Sequence, residues 1–289
     1  MIGLGAIGLW ALLAPLGVLA GEVPPFLLTG LAFLVGGGLG LLFRHRSGRP
    51  LRASFVVPWP AWALGVLGLF GFHALYFTAL RLLPPIEALL IVNLWPLLIV
   101  LLSALLPGER LLARHVAGAL AGLLGTVLIV TAGAEAGPQG WAVTGYLCAL
   151  GAALTWSSYS VLNRRLAAGV PSDAVTGFCL ATAALALASH VLAEATVWPA
   201  GLGWLAVLAL GLGPVGAAFY FWDHGTKHGD IQLLGAAAYA SPVLGAVLLL
   251  LLGFGEPSLR LLAAAVLVLG GAAVASGDLW SARHRPAAG

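Results

Sequence analysis

Long apolar stretches recur along the whole chain, separated by short segments rich in polar residues, glycine and proline. Each stretch is close to the roughly 20 residues that a helix needs to cross a bilayer. Ten such stretches are present, at residues 1–20, 25–43, 60–80, 85–106, 113–132, 141–163, 173–192, 202–222, 231–252 and 260–280. No basic segment precedes the first, so it is interpreted as a helix and not as a secretion signal. The pattern predicts an all-α integral membrane protein with ten transmembrane helices, numbered one to ten below.

The composition favours the same class of protein. Of 289 residues, 61% are hydrophobic and only 8% are charged, against about 25% charged in soluble globular proteins. An ordinary soluble enzyme is therefore excluded. The chain has 40 glycines, and pairs such as Gly36 with Gly40 and Gly118 with Gly122 are interpreted as close helix contacts. Cys148 and Cys179 lie within apolar stretches, which favours neither a disulfide framework nor a zinc site.

The basic residues predict an orientation in the membrane. The net charge of +3 is small, and the lysines and arginines sit in short loops, so membrane topology explains them better than nucleic-acid binding does. If both termini are cytoplasmic, 11 of the 13 basic residues fall on the inner side, as the positive-inside rule requires. The inner residues are Arg44, Arg46, Arg49, Arg52, Arg110, Arg114, Arg164, Arg165, Lys227, Arg283 and Arg285. Arg81 and Arg260 fall outside, and the predicted location is the bacterial inner membrane.

The two halves of the chain resemble each other. A shift of 146 positions places Trp10 on Trp156 and Pro96 on Pro242, and a shift of 144 places Tyr76 on Tyr220. We therefore predict two five-helix copies, at 1–133 and 140–281. Because five is odd, the second copy enters the membrane in the opposite direction. Secondary transporters commonly use such inverted-topology repeats around a site near the midplane.

Aromatic residues away from helix ends indicate what a central cavity could bind. Tryptophan and tyrosine usually lie at the membrane interfaces, but Trp95 and Trp156 lie about ten or more residues from a helix end. They are interpreted as cavity residues, with lipid-facing packing as the alternative. An aromatic wall favours flat apolar ligands and ammonium groups. The deep aromatic candidates are Trp10, Tyr76, Trp95, Trp156, Tyr159, Tyr220 and Tyr239.

Prolines in the middle of predicted helices supply a second ingredient. Pro96 has no N–H, so the carbonyl of Val92 lacks its helical partner, and Pro242 leaves the carbonyl of Ala238 in the same condition. Such carbonyls could receive a substrate ammonium. Alternatively, water or a neighbouring side chain such as Asn93 or Ser241 satisfies them. Pro15 and Pro214 are expected to break helices one and eight in the same way.

Ionisable residues are rare in the predicted helix centres. His73, in the middle of helix three, either lines the cavity or makes an interhelical hydrogen bond. Glu87, Arg81 and Asp223 lie near helix ends, and Asp223 is the candidate for coupling to protons. No constellation of residues predicts an enzyme, a metal site or a cofactor, and no polar stripe predicts a channel.

The sequence resembles the drug/metabolite transporter superfamily, EamA type, and within it the YddG-like aromatic amino acid exporters. The resemblance covers nearly the whole chain. It rests on Ile2–Trp10, on Ile86-Glu87 with Leu94-Trp95-Pro96, on Trp156–Asn163, on Trp222-Asp223 with Gly225 and His228-Gly229, and on Tyr239–Leu244. Val92-Asn93 and Asp223 depart from the subgroup pattern, which has Asn-Tyr at the first position and an amide at the second.

The resemblance implies a fold and a function. The fold has ten helices and cytoplasmic termini, with a central cavity lined by helices one, three, four, six, eight and nine. The implied function is export of aromatic amino acids by alternating access. The implied partners are a small-molecule substrate, an amino acid, and the lipid bilayer. Export of threonine, methionine, a cysteine-pathway compound or a cationic drug is the alternative. A monomer is expected because the repeat already supplies two halves.

Overall fold

The computed structural model describes residues 2–103, 113–135, 140–166, 169–222 and 240–275, and its regular elements are helices. We number the α-helices α1 to α12 in chain order. They are α1 Ile2–Trp10, α2 Leu13–Leu19, α3 Pro25–Arg46, α4 Trp59–Leu82, α5 Pro85–Val92, α6 Trp95–Ser103, α7 Ala113–Glu135, α8 Gly140–Leu166, α9 Ala174–Ala193, α10 Leu202–Leu212, α11 Ala240–Leu251 and α12 Leu259–Ala275. A short 3₁₀-helix covers Leu51–Ser54 and a π-helical turn covers Gly213–Ala217.

Four helical segments are long and apolar enough to cross a membrane. They are Pro25–Arg46, Trp59–Leu82, Ala174–Ala193 and Leu202–Trp222, and they coincide with predicted helices two, three, seven and eight. Shorter apolar helical segments occur at Leu4–Leu19, Val116–Gly125 and Leu259–Gly271. The all-helical, membrane-spanning class is confirmed for the described part of the chain. The count of ten spans and the inverted repeat stay predictions.

Proline sets where several helices begin. Pro25, Pro60 and Pro85 lie in the first turns of α3, α4 and α5, where the missing N–H has no carbonyl to bond within the helix. Basic residues close α3 and α4, with Arg44 and Arg81 in their last turns. Cations at these ends favour the helix dipole.

Three helix interruptions coincide with prolines. The first predicted span divides into α1 and α2 at residues 11–12, four positions before Pro15. The fourth divides into α5 and α6 at residues 93–94, just before Pro96. In the eighth, Pro214 lies within the π-helical turn. Because proline cannot donate to the carbonyl four residues earlier, the α-helical ladder is locally lost at each position.

The helical bundle has two opposite ends, which we call the Arg81 face and the Arg44 face after the arginines that lie there. At the Arg81 face, Glu194 accepts hydrogen bonds from the first-turn amides of α3, Phe26 N at 2.9 Å and Leu27 N at 3.2 Å. At the Arg44 face, the buried Arg44 at the end of α3 pairs with Asp173 at 2.5 Å, just before α9. Consequently α3 runs from the Arg81 face to the Arg44 face, and α9 runs in the opposite direction.

Close helix contacts use small residues. The most extensive interfaces are α7 with α12, α3 with α9, and α4 with α8. At Gly36, an added Cβ would lie 3.1 Å from Gly216 Cα, and at Gly40 it would lie 2.1 Å from Tyr220 Oη. Both glycines therefore lie at helix contacts, as their spacing predicts.

Candidate functional site

A narrow cavity lies at the level of the helix interruptions. Its volume is about 60 Å³. The described residues that line it come from predicted helices one, three, four, six, eight and nine. They are Trp10, Leu13, Phe72, His73, Tyr76, Leu89, Val92, Asn93, Trp95, Trp156, Phe219 and Ser241. None of these twelve residues is an aspartate, glutamate, lysine or arginine.

Aromatic rings from four helices meet in this wall. Trp10 and Trp156 approach edge to face, with centroids 6.0 Å apart and an interplanar angle of 82°. Phe72 contacts Trp156 at 5.2 Å and stacks on Tyr76 at 5.6 Å. Phe219 lies 6.0 Å from Trp156 and 6.2 Å from Trp10. These distances are typical of favourable ring pairs, so the wall presents both ring faces and ring edges.

The interruption of helix four brings polar backbone into the cavity. Asn93 is buried, and its Nδ2 donates to the carbonyl of Leu89 at 2.8 Å. This bond goes to the Leu89 carbonyl, one helical turn earlier, and not to the Val92 carbonyl that Asn93 was expected to satisfy as an alternative to water. The hydroxyl of Ser157 in α8 lies 2.6 Å from the carbonyl oxygen of Ala153 in its own helix and 2.9 Å from that of Trp95, so its single hydrogen is shared between two acceptors. A side chain from the other half of the chain thus contacts the α5–α6 junction.

His73 and Tyr76 lie side by side on the inward face of α4. The side chain of His73 is only 1% exposed. Its Nδ1 donates to the carbonyl of Leu69 at 2.9 Å, because a carbonyl oxygen can only accept. The ring also packs edge to face against Phe33 at 4.7 Å. His73 therefore lines the cavity while its bonded nitrogen is satisfied within its own helix, and Nε2 is the acceptor of that tautomer.

Trp10 connects the first helix to the eighth. Its Nε1 donates to the carbonyl oxygen of Pro214 at 3.2 Å, within the π-helical turn. The ring also lies 5.0 Å from that of Trp222. The two proline-interrupted helices therefore meet at Trp10, and Ser241 of α11 completes this side of the cavity wall.

Two of the deep aromatic candidates lie outside the cavity wall. Tyr159 packs on the side of Trp156, at 5.3 Å, and against Gly68. The hydroxyl groups of Tyr220 and Thr176 lie 2.8 Å apart, over Gly40. Asp223 and Tyr239 lie outside the described residues, as does Ala238. Pro96 lies in the first turn of α6.

Sequence reasoning missed five lining or supporting residues: Leu13, Phe72, Leu89, Ser157 and Phe219. Two of them carried a signal. Phe72 is one helical turn before Tyr76, so both share a helix face. Phe219 lies 147 positions after Phe72 (219 minus 72), one position from the shift of 146 that places Trp10 on Trp156. Leucines and serines are too common here for such a shift to distinguish them.

Among the described residues, charged groups lie at the two faces and not in the cavity wall. Glu87 in the first turn of α5 accepts a hydrogen bond from Tyr146 Oη of α8 at 2.8 Å. Arg81 pairs with Glu22, and its Nη1 donates to Gly21 O at 3.0 Å. His190 is buried at the end of α9, with Nδ1 2.8 Å from Glu194. Glu87, Arg81 and His190 therefore each have a partner near a helix end, away from the cavity wall.

Known proteins resemble this chain over most of its length. The chain is 54% identical over 279 residues to a protein named aromatic amino acid exporter YddG from Ancylobacter novellus, covering 96% of each chain. A protein of the same name from Salmonella typhimurium is 26% identical over 268 residues, covering 87% of each. A crystal structure at 53% identity superposes with a TM-score of 0.75 and covers 96% of this chain and 97% of the other.

The family comparison covers both halves of the chain. The sequence model described as the EamA-like transporter family matches residues 1–131 and again residues 143–277. These two segments contain every described residue that lines the cavity. By sequence, by fold and by extent of the match, the chain belongs to the EamA-like transporter family, a family of membrane transport proteins.

Proposed function

We propose that this protein exports aromatic amino acids across the bacterial inner membrane by alternating access. The observation that carries the proposal is the aromatic wall around Trp10, Phe72 and Trp156, whose described residues include no aspartate, glutamate, lysine or arginine. A flat apolar side chain gains stacking and edge contacts there. The names of the relatives from Ancylobacter novellus and Salmonella typhimurium support the same substrate class.

The substrate's polar end meets the interrupted helices. Pro96 cannot donate to the carbonyl of Val92, and Val92 lines the cavity, so this carbonyl receives the substrate ammonium. In helix nine, the carbonyl that Pro242 leaves without a helical partner, that of Ala238, has the equivalent role. His73 Nε2 and Tyr76 add polar contacts. Asn93 donates to Leu89 O through Nδ2 and offers its amide oxygen to the substrate.

Two inverted five-helix copies, 1–133 and 140–281, provide the moving parts. Three observations support this arrangement. The family match repeats at 1–131 and 143–277. The α3–α9 and α7–α12 interfaces pair helices that are equivalent in the two copies. Predicted helix one runs towards the Arg81 face, because Ala20 at its end lies against Gly203 there. Its counterpart α8 starts at that face, where Gly145 lies against Leu83, and therefore runs in the opposite direction.

The narrow cavity fits a transport cycle with a contracted state. About 60 Å³ is well below the roughly 300–1,000 Å³ of small-molecule sites. Admission of an amino acid therefore requires the rings of Phe72, Trp156 and Phe219 to separate. They belong to both halves, so rocking of one half against the other widens the site.

We further propose that both termini are cytoplasmic. Arg44, Arg49 and Asp173 cluster at the Arg44 face, opposite Arg81, and the positive-inside rule makes the Arg44 face cytoplasmic. The protein acts as a monomer, and Asp223 is the acid through which protons would couple to transport. A rate that is independent of pH and unchanged in Asp223→Asn would remove proton coupling from the proposal.

The test is uptake of labelled Phe, Trp, Thr and Met into proteoliposomes, with counterflow and empty vesicles as controls. Saturable movement that favours Phe and Trp is expected, and counterflow distinguishes a carrier from a channel. Preference for Thr, Met or a cationic compound would assign the same fold to another metabolite. Full transport by folded Trp95→Leu and Trp156→Val variants would refute the site.

A further inference from the structure

A second cavity lies beyond the central one, at the Arg81 face. Its volume is about 340 Å³, larger than that of the central cavity. Its wall combines the end of α2, the start of α3, the end of α4 and Phe254, which follows α11. Apolar surface comes from the partly exposed Val18, Leu80 and Phe254, and charge comes from Glu22 and Arg81. This wall therefore combines apolar side chains with an ion pair, which the described residues of the central cavity do not include.

The two cavities share two helices. On α2, Leu13 lines the central cavity and Gly17, one turn further on, lines the second. On α4, Tyr76 lines the central cavity and the adjacent Phe77 lines the second. At 1.5 Å of rise per residue, His73 and Arg81 are about 12 Å apart along α4. The second cavity is therefore displaced from the central one along α2 and α4, towards the Arg81 face.

Arg81 is placed to receive an anionic group. The guanidinium is held by Gly21 O, which accepts from Nη1 at 3.0 Å. Its other partner, Glu22, is 80% exposed, whereas the side chain of Arg81 is 34% exposed. A solvent-exposed ion pair contributes little to stability. Another carboxylate can therefore replace Glu22 at small cost, while the bond to Gly21 O keeps the guanidinium in position.

The chemistry of the wall selects the kind of ligand. A planar guanidinium binds a carboxylate through two parallel hydrogen bonds. The partly exposed Phe254 offers ring surface to an apolar or aromatic side chain, with Val18 and Leu80 in the same wall. An aromatic amino acid carries both groups, an α-carboxylate and an apolar side chain. The backbone carbonyls of the central cavity can bind its ammonium group but not its carboxylate.

We infer that this cavity is an exit site for the transported amino acid. Arg81 takes the substrate carboxylate in exchange for Glu22, and the substrate side chain lies against Val18 and Phe254. Because Phe254 comes from the second half of the chain, movement between the halves opens and closes this site. The inference rests on the proposed function, since it adds a second position on the path of the same substrate.

The test compares two substitutions that a purely structural ion pair would make equivalent. Arg81→Gln removes the carboxylate receptor, whereas Glu22→Gln removes only the competitor. The measurement is counterflow of labelled Phe as a function of its concentration at the Arg81 face. An impermeant thiol reagent on Val197→Cys assigns that face, because Val197 is 44% exposed and follows Glu194. Arg49→Gln, which alters an exposed ion pair at the other face, is the matched control.

Opposite shifts are expected. Arg81→Gln raises the half-saturating concentration of Phe at this face about tenfold, because a charge-assisted bidentate contact is lost. Glu22→Gln lowers it about twofold to threefold, since an exposed competitor is removed. Arg49→Gln leaves it unchanged. Inhibition by phenylalaninamide, which lacks the carboxylate, is unaffected by Arg81→Gln.

Each other outcome decides against the inference. If both substitutions shift the half-saturating concentration in the same direction, or neither shifts it in protein of wild-type thermal stability, the ion pair is structural and the exit site is refuted. The proposed function then still stands, because the wild type transports Phe. If the wild type moves no amino acid saturably, the proposed function fails and the exit site fails with it.

Discussion

Alanine at Gly40 is expected to separate helices that glycine holds in contact. A Cβ at this position would lie 2.1 Å from Tyr220 Oη and 2.6 Å from Thr176 Oγ1. Real Cβ contacts are almost never shorter than 3.0 Å, so the tyrosine hydroxyl must move by about 1 Å or more. Its hydrogen bond to Thr176, 2.8 Å long, cannot survive that movement.

The magnitude follows from these two losses. Overpacking costs about 1–3 kcal/mol, and a lost hydrogen bond costs about 1 kcal/mol. We expect Gly40→Ala to destabilise the protein by about 2–4 kcal/mol, which lowers the unfolding midpoint by about 5–10 °C. The measurement is the fraction of purified protein in detergent that stays monodisperse after heating.

Two further variants make this expectation specific. Gly38 lies two residues away on α3 and has nothing within 4 Å of an added Cβ, so Gly38→Ala is the matched control and should leave the midpoint unchanged. Tyr220→Phe removes the clashing hydroxyl and should recover part of the loss in the Gly40→Ala background. The reasoning is refuted if Gly40→Ala melts with Gly38→Ala, or if Tyr220→Phe gives no recovery.

Three other substitutions test the site and its supports. Trp156→Val removes a ring that contacts Trp10 and Phe72, so the half-saturating concentration of Phe should rise about tenfold, equal to about 1.4 kcal/mol. Ser157→Ala removes the hydroxyl that reaches Trp95 O and should lower the counterflow rate more than the unfolding midpoint, because it loosens the helix-four junction. Glu194→Gln should lower the midpoint by about 2–4 °C, since the first turn of α3 loses an anionic cap.

Control variants are available in the described helices. Trp156→Phe keeps an aromatic ring and should retain most of the affinity, whereas equal losses in both variants would argue against stacking. Ser189 is half-buried in α9 and donates to the carbonyl of Leu185, four residues earlier in its own helix, so Ser189→Ala should transport normally. An unchanged midpoint in Glu194→Gln would show that the neutral amide oxygen caps α3 as well as the carboxylate does.

Local chemistry made much of the fold predictable. The lipid-crossing stretches follow from hydropathy alone, because backbone groups in hydrocarbon must bond within a helix. The interruptions near Pro15, Pro96 and Pro214 follow from a missing N–H at each position. The deep position of Trp95 and Trp156 also follows from counting residues, and both line the cavity.

Only the tertiary structure decided which side chains face one another. Trp10 meets Trp156 and Phe219 across the two halves, whereas Tyr159 and Tyr220, which were candidates for the same cavity, pack against glycines. A uniformly apolar helix has no polar face to reveal its rotation, because lipid and protein interior are alike in polarity. The rotation is set by where glycine permits close approach and by bonds such as that from Trp10 to Pro214 O, both of which depend on a partner helix distant in sequence.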